Sequence, residues 1–297
     1  MRSSRSRIAA LTAAGALGAS SLAVASTSSA SSADTTSAAP TVHVFITKTS
    51  QVRMPTTLQP GTLRYVVRSN KSVAFQIVRV RPGYSKRQLA HDVNAGLIAQ
   101  NANVHAIRRF ERNVTLLGGV SARSGHPGVM FADLTPGRRY MAVDTNPPHL
   151  FASKLLTFHV AGSSVGGSVP TGSATLRAIH QHTWARRPAS IPHAGLLRFK
   201  NDSRDNHFVV LERFKPGKGV ADFRRFARRI RNGKNPGPSP TFQRGGLFSG
   251  VQSPGHQFTF RYHLAPGRYL LTCFWPDADM GGLPHAFLGM FRGIRVR

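Results

Sequence analysis

The sequence of 297 residues predicts a mostly β protein made of two tandem Greek-key β-sandwich domains, each with a short helical insertion. Two observations lead to this fold class. Short apolar runs typical of strands are separated by Pro-Gly pairs, which favour tight turns because proline fixes φ and glycine accepts positive φ. The same succession of strands and turns occurs a second time along the chain, which indicates an internal duplication. Many short strands joined by such turns are typical of a β-sandwich.

The first copy contains four strand patterns and one helix pattern. The strands are predicted at 42–46, 63–67, 75–80 and 129–131. Ser85 is a favourable N-cap for a helix that carries Leu89 and Val93 on one face. The basic and polar stretch that runs on to Gly118 shows no comparable pattern.

The second copy follows the same plan. Its strands are predicted at 175–182, 195–201, 207–214, 256–264, 269–274 and 291–297. Between them, Phe223, Phe226 and Ile230 have helical spacing, with arginines on the opposite face. Asn232-Gly233 is expected to end this helix.

The two copies align closely in their first parts. A shift of 134 residues, the separation of Arg53 and Arg187, pairs Pro82-Gly83 with Pro216-Gly217. Between the copies lies a Gly/Ser/Val-rich stretch, which is typical of a linker across which few contacts pass. The predicted organisation is therefore a signal peptide at 1–25, a disordered leader at 26–40, domains at 41–161 and 174–297, and a linker at 162–173.

The signal peptide predicts a secreted, extracytoplasmic protein. Arg2, Arg5 and Arg7 precede a weakly apolar run that ends at a small-x-small cleavage site. No later segment is apolar over the length of a membrane span, so no transmembrane anchor is expected.

Composition limits the chemistry. With 40 basic and 11 acidic residues, the formal net charge of +29 makes an anionic partner, such as a cell-wall polymer, an expectation. The scarcity of carboxylates argues against calcium sites and against hydrolysis by paired acids. No catalytic triad, carboxylate pair or nucleotide loop is present, so the chain is not expected to be an enzyme. No platform of interleaved aromatic residues is visible, and sequence-specific nucleic-acid binding is not expected.

The most informative cluster of residue types lies near the end of the chain. Cys273, the only cysteine, stands at the end of a predicted strand, before a loop that carries His285 and Met290. His207 offers a second imidazole upstream. Thiolate, imidazole and thioether together form the soft ligand set that selects copper.

These residues resemble the cupredoxin (plastocyanin-like, blue copper) superfamily. The match rests on His207 at a strand start, Cys273 after Pro-Gly-x-Tyr, and His285-x4-Met290 before the last strand. The resemblance implies one copper ion, with His207 and His285 as imidazole ligands, Cys273 as the thiolate and Met290 as a weak axial ligand. It also implies electron entry at His285 and an extracytoplasmic redox partner. The eleven residues between Cys273 and His285 form a longer loop than is usual in small blue copper proteins.

The first copy lacks most of this set. Asp144 aligns with Cys273, Lys154 with Met290, and His149 with His285. His207 aligns with Val73, or with Ala74 if the strand is shifted by one residue. We therefore expect the first domain to be a degenerate cupredoxin-like copy and the second to carry the site.

Two alternatives remain open from the sequence. The chain could be a metal-free β-sandwich module that binds anionic cell-surface polymers through its basic charge. Separately, His180 and His182 have the i, i+2 spacing that can chelate a metal, although no third ligand stands at motif spacing and such histidines are more often simply exposed.

Overall fold

The computed structural model describes residues 39–99, 102–242 and 245–297. The predicted signal peptide and all but the last two residues of the predicted leader lie outside the described residues. Within the described part of the chain, no helix has both the length and the apolar character needed to cross a membrane.

The first half forms nine strands. They are β1 (Thr41–Ile46), β2 (Val52–Arg53), β3 (Thr57–Leu58), β4 (Gly61–Ser69), β5 (Val73–Val80), β6 (Val114–Ala122), β7 (Gly128–Leu134), β8 (Arg139–Asp144) and β9 (Leu156–Val160). The strict alternation of buried and exposed residues along β1 fits a strand with one face on the core.

The second half forms eleven strands. They are β10 (Ala174–His180), β11 (Thr183–Trp184), β12 (Ser190–Ile191), β13 (Ala194–Asn201), β14 (Val210–Arg213), β15 (Leu247–Phe248), β16 (Gln257–His263), β17 (Gly267–Thr272), β18 (Pro276–Asp277), β19 (Leu283–Pro284) and β20 (Phe291–Val296). The β18–β19 hairpin lies inside the long loop between Cys273 and His285.

Both halves pair their strands in the same order. A five-stranded sheet runs β3-β9-β8-β5-β6 in the first half and β12-β20-β17-β14-β15 in the second. The other sheet begins with β1 parallel to β4 in the first half, and with β10 parallel to β13 in the second. In both halves a tyrosine of the equivalent strand, Tyr140 or Tyr269, donates its hydroxyl to a carbonyl in the preceding turn.

The two halves share one sheet. β7 pairs with β16, so the four outer strands of each half join into an eight-stranded sheet in the order β11-β10-β13-β16-β7-β4-β1-β2. A single hydrophobic core cluster contains buried residues of both halves. The expectation that few contacts pass between the copies is wrong, because apolar strand faces from both halves are buried together.

The predicted linker segment also packs on both halves. Val165 donates its backbone N–H to Pro60 in the first half, at 2.8 Å. On the other side, Arg198 and Thr259 donate side-chain hydrogen bonds to the carbonyls of Val169 and Pro170.

The residues that the structure describes also form four α-helices: α1 (Lys86–Val93), α2 (Val104–Asn113), α3 (Val220–Arg231) and α4 (His285–Leu288). Ser85 caps α1 as predicted, in a reciprocal capping box with Gln88. A π-helical turn, Asn94–Ile98, continues α1. α3 agrees with the predicted helix, and Gly233 follows it with φ of 66°.

The structure departs from the predicted elements in the stretch before Gly118. This stretch, interpreted as basic polar sequence without a pattern, forms α2 and the start of β6. Asn103 caps α2 by accepting hydrogen bonds from the N–H groups of His105 and Ala106. The helix was not predicted because most of its residues are polar or basic. Only Ala106, Ile107 and Phe110 form its buried face.

Candidate metal centre

The four candidate ligands lie at or near the ends of strands or helices in the second half, and all are in its interior. His207 precedes β14 and forms an isolated antiparallel bridge with Gln252. Cys273 directly follows β17, His285 opens α4, and Met290 directly precedes β20. All four are buried, with exposed fractions of 0% for His207, Cys273 and Met290 and 1% for His285.

Three of the candidate ligands converge on one point. Nδ1 of His207 lies 3.1 Å from Nδ1 of His285, and Sγ of Cys273 lies 3.9 Å from the same nitrogen of His285. The donor atoms of the three residues all lie within 4.8 Å of one another. Met290 is linked to this group by its backbone, whose N–H donates to the carbonyl of His285 at 3.0 Å.

The spacing of these donor atoms fits a single metal ion. Metal–nitrogen bonds of about 2.0–2.1 Å and metal–sulfur bonds of about 2.3 Å place neighbouring ligand atoms roughly 3–4 Å apart. The distances from His285 Nδ1 to the other two donors fall within that range. A thiol and two imidazoles in a buried pocket are also the soft and borderline donors that suit copper.

The protonation of the pocket is set mainly by burial. Burial raises the pKa of the Cys273 thiol to about 12, although hydrogen bonds from backbone N–H groups oppose the shift. Burial and the neighbouring His182 lower the pKa of His285 to about 4, and burial lowers the pKa of His207 well below its usual range. At neutral pH both imidazoles are therefore neutral and able to bind a metal.

The sulfur of Cys273 lies in a cradle of backbone N–H groups. It accepts a hydrogen bond from the N–H of Trp275 at 3.4 Å, and the N–H of Phe208 also favours its anionic form. Two such donors stabilise a thiolate, which is the form that binds metal.

The first half keeps the same cradle around a carboxylate. Oδ1 of Asp144 accepts from the N–H of Ala74 at 3.0 Å and from the N–H of Asn146 at 3.1 Å. Asn146 stands two residues after Asp144, as Trp275 stands two residues after Cys273. The first half thus presents the same two N–H donors to a carboxylate oxygen, and Nζ of Lys71 lies 3.6 Å from the other oxygen of Asp144.

The apolar residues that follow Cys273 and His285 in sequence pack in two different clusters. Trp275 and Met290 belong to the same core cluster as Cys273. Phe274 and Phe287 instead pack in the smaller cluster beneath α3, with ring centroids 5.9 Å apart. Leu288 is half-buried at the end of α4.

A second imidazole covers His285. The ring of His182, in the turn between β10 and β11, lies edge-on to the ring of His285 with centroids 4.8 Å apart. His285 itself is only 1% exposed, so His182 lies between part of its ring and the solvent. The i, i+2 pattern drew attention to His182 as well as His180, but only His182 joins the site, and His180 is exposed.

Helix α2 of the first half packs against the loop between Cys273 and His285. Trp275 Nε1 donates to Oε1 of Glu111 on α2 at 2.8 Å, and its ring lies 6.0 Å from that of Phe110. Arg108, also on α2, pairs with Asp279 at 2.7 Å. The length of the loop between Cys273 and His285 allows it to reach α2, which no sequence motif indicated.

Among solved structures, several copper proteins are similar to this chain. No protein-family model matches the chain, and no curated protein matches it. Among solved structures, auracyanin B is 20% identical, with 43% of this chain and 91% of auracyanin B covered and a TM-score of 0.27. Auracyanin A, a "blue" copper protein from Chloroflexus aurantiacus, is 16% identical, with 41% and 96% covered and a TM-score of 0.26. A multicopper oxidase is 11% identical, with 86% and 88% covered and a TM-score of 0.24.

The fold is mostly β, and each half contributes strands to two sheets. This architecture confirms the predicted fold class. The exclusion of enzyme chemistry from sequence motifs is wrong, because the solved structures similar to this chain include multicopper oxidases and laccases.

Proposed function

We propose that this chain holds one copper ion outside the cytoplasmic membrane and passes single electrons to a redox partner. His207, Cys273 and His285 would bind the ion, and Met290 would be its weak axial ligand. The observation that carries the proposal is the convergence of one thiol and two neutral imidazoles in a buried pocket. This convergence favours copper binding over the alternative of a metal-free polymer-binding module.

The protein holds these ligands in place before any metal binds. The carbonyl of Met290 accepts from Thr272 Oγ1 at 2.8 Å, and the N–H of His285 donates to the carbonyl of Trp275 at 2.9 Å. Ligands fixed by surrounding hydrogen bonds change little in geometry when the charge of the site changes. Copper supplies the one-electron chemistry, and the protein supplies the donor set and excludes water.

We further propose that the first half is a second copy that has lost its site. The shared strand order and the shared N–H cradle support descent from one ancestral unit. Val73 and Lys154 offer no copper ligand at the positions of His207 and Met290, and Asp144 replaces the thiolate with a harder donor.

Visible absorption after addition of copper tests the proposal. A copper–thiolate site is expected to give an intense band that Cys273→Ser abolishes. His207→Ala and His285→Ala should weaken or shift the band, and Met290→Leu should mainly change the reduction potential. His193→Ala, at an exposed histidine outside this group of candidate ligands, is the matched control and should leave the spectrum unchanged.

Two results would contradict copper binding through Cys273. A folded, reduced protein that takes up no stoichiometric copper and shows no visible band would overturn the proposal. So would a band that survives Cys273→Ser, since the sulfur would then not bind the ion.

A further inference from the structure

A second group of metal-binding side chains lies directly outside the first. His182, Asp277 and His285 each offer a donor atom, and these atoms lie within 4.8 Å of one another. Nε2 of His182 is 2.8 Å from Oδ2 of Asp277. His285 belongs to both groups. Its Nδ1 faces His207 and Cys273, which leaves Nε2 as its nitrogen for an outer ion.

The outer group is more accessible than the inner one. The side chain of His182 is 23% exposed, whereas that of Asp277 is 3% exposed. Oδ1 of Asp277 accepts the N–H groups of Asp279 and Met280, which fixes the carboxylate and directs Oδ2 towards His182. An ion could therefore reach this group from solvent through the side occupied by His182.

The local charge is unusual for so basic a protein. Of the 11 acidic residues, Glu111, Asp205, Asp277 and Asp279 lie close enough to influence one another. Burial, followed by the charges of the three aspartates, raises the pKa of Glu111 to about 7. Oδ2 of Asp205 is buried without a hydrogen-bond partner among the described residues. A cation next to this cluster would offset the mutual repulsion of the carboxylates.

We propose that His182, Asp277 and His285 form a second metal site that binds a divalent transition-metal ion, with copper(II) as the preferred ion. Two imidazoles and one carboxylate are borderline and hard donors without sulfur, which suits copper(II), nickel(II) and zinc(II) rather than copper(I). By the general order of stability for such donors, copper(II) binds most tightly among the first-row divalent ions. The site goes beyond the proposed function and shares only His285 with it.

The site differs from a simple histidine–aspartate hydrogen bond in a measurable way. A hydrogen bond alone would stabilise the turn between β10 and β11 and bind no second ion. A metal site predicts two tightly bound copper ions per chain, only one of which has a sulfur ligand. The outer ion would displace the Nε2 proton of His285 to solvent, so that one imidazolate links the two ions. Their electron spins should then interact and broaden the paramagnetic resonance spectrum.

Copper counting on the intact chain, with absorption and paramagnetic resonance spectra, tests the site. Wild type loaded with copper(II) and then desalted is expected to retain two ions. His182→Ala should lower the affinity for the second ion by more than about tenfold while the visible band remains. Asp277→Asn should act in the same direction, and it keeps Oδ1 to accept the N–H groups of its turn. His180→Ala, at an exposed imidazole on the same hairpin, is the control and should retain two ions.

The variants separate this proposal from the copper–thiolate site. Cys273→Ser should remove the visible band and leave a colourless copper signal that His182→Ala then removes. A His182-dependent copper in a protein without any visible band would support the second site while overturning the proposed function. Retention by wild type of a single copper that does not depend on His182, or of two by both His182→Ala and Asp277→Asn, would overturn the second site.

Discussion

At the scale of single residues, the comparison of Cys273 with Asp144 is the most informative. Cys273 directly follows its strand, Asp144 ends the equivalent strand, and both side chains accept backbone N–H groups at matching positions. Such a position suits an anion, because N–H groups stabilise a charged acceptor more strongly than a neutral one. Asp144 places a carboxylate oxygen there. A thiol accepts these N–H groups only weakly, and metal binding is the means by which Cys273 can lose its proton in a buried pocket.

This difference predicts how copper binding depends on pH. In the folded protein without metal, the pKa of the buried Cys273 thiol is about 12 and that of His285 is about 4. Between pH 5 and 8 the thiol is therefore protonated and the imidazole is neutral. Copper must then displace one proton, and its affinity should rise about tenfold per pH unit. Competition titrations with a chelator of known pH dependence measure the slope. An affinity that does not change with pH would show that copper displaces no proton from the Cys273 thiol.

The sequence grouped the candidate ligands of the inner group but did not place His182 beside them, and the reason is physical. Cys273, His285 and Met290 stand close together in sequence, and strand ends and turn residues bracket them, so their proximity follows from local structure. His207 needed the family resemblance. The packing of His182 over His285 depends on how the hairpin of β10 and β11 folds across the other sheet, and local spacing carries no information about that contact.

At the scale of elements, α2 is the feature that links the first half to the site of the second. It lies between α1 and β6, whereas α3 is the only helix described between β14 and β15. Its last turns place Glu111 against the indole of Trp275 and Phe110 against the same ring. Because Trp275 also donates its N–H to Cys273, α2 steadies a residue that contacts the sulfur directly.

The carboxyl of Glu111 should make the stability of this contact depend on pH. Burial raises its pKa in the folded state to about 7 from the usual 4.5, so folding favours the protonated form. The resulting stabilisation is fully present below pH 4.5 and is lost as the pH rises through 7. Glu111→Gln keeps an acceptor for Trp275 and removes the titration. The free energy of unfolding of the variant, relative to wild type, should therefore rise between pH 4.5 and 8.

Urea denaturation of metal-free protein at several pH values measures this difference. Asp133→Asn is a suitable control, because Asp133 is exposed and is not among the charges that raise the pKa of Glu111. A constant difference between Glu111→Gln and wild type across this range would contradict the assignment.

At the scale of the whole molecule, the duplicated pattern predicted the strand content but not how the copies join. Pro-Gly turns and alternating apolar residues are local signals, and they indicated strands such as β1, β13 and β17 correctly. The pairing of β7 with β16 is a contact between strands distant in sequence, and both strands look like ordinary sandwich strands. The segment from Ser249 to Gln252 adds to this junction, since Gln76 of the first half both donates to and accepts from the backbone of Val251.

The closeness of this junction can be tested with one methyl group. Gly250 donates its N–H to the carbonyl of Gly119 at 2.9 Å, and a Cβ at Gly250 would lie 2.1 Å from the backbone nitrogen of Gly119. Because backbone on both sides cannot yield as a flexible side chain can, Gly250→Ala should lower the free energy of unfolding by about 1–3 kcal/mol. Gly167→Ala, where a Cβ would meet nothing within 4 Å, should change it by less than about 0.5 kcal/mol. Chemical denaturation of the intact chain compares the two, and equal stability of both variants with wild type would show that the halves do not meet this closely in solution.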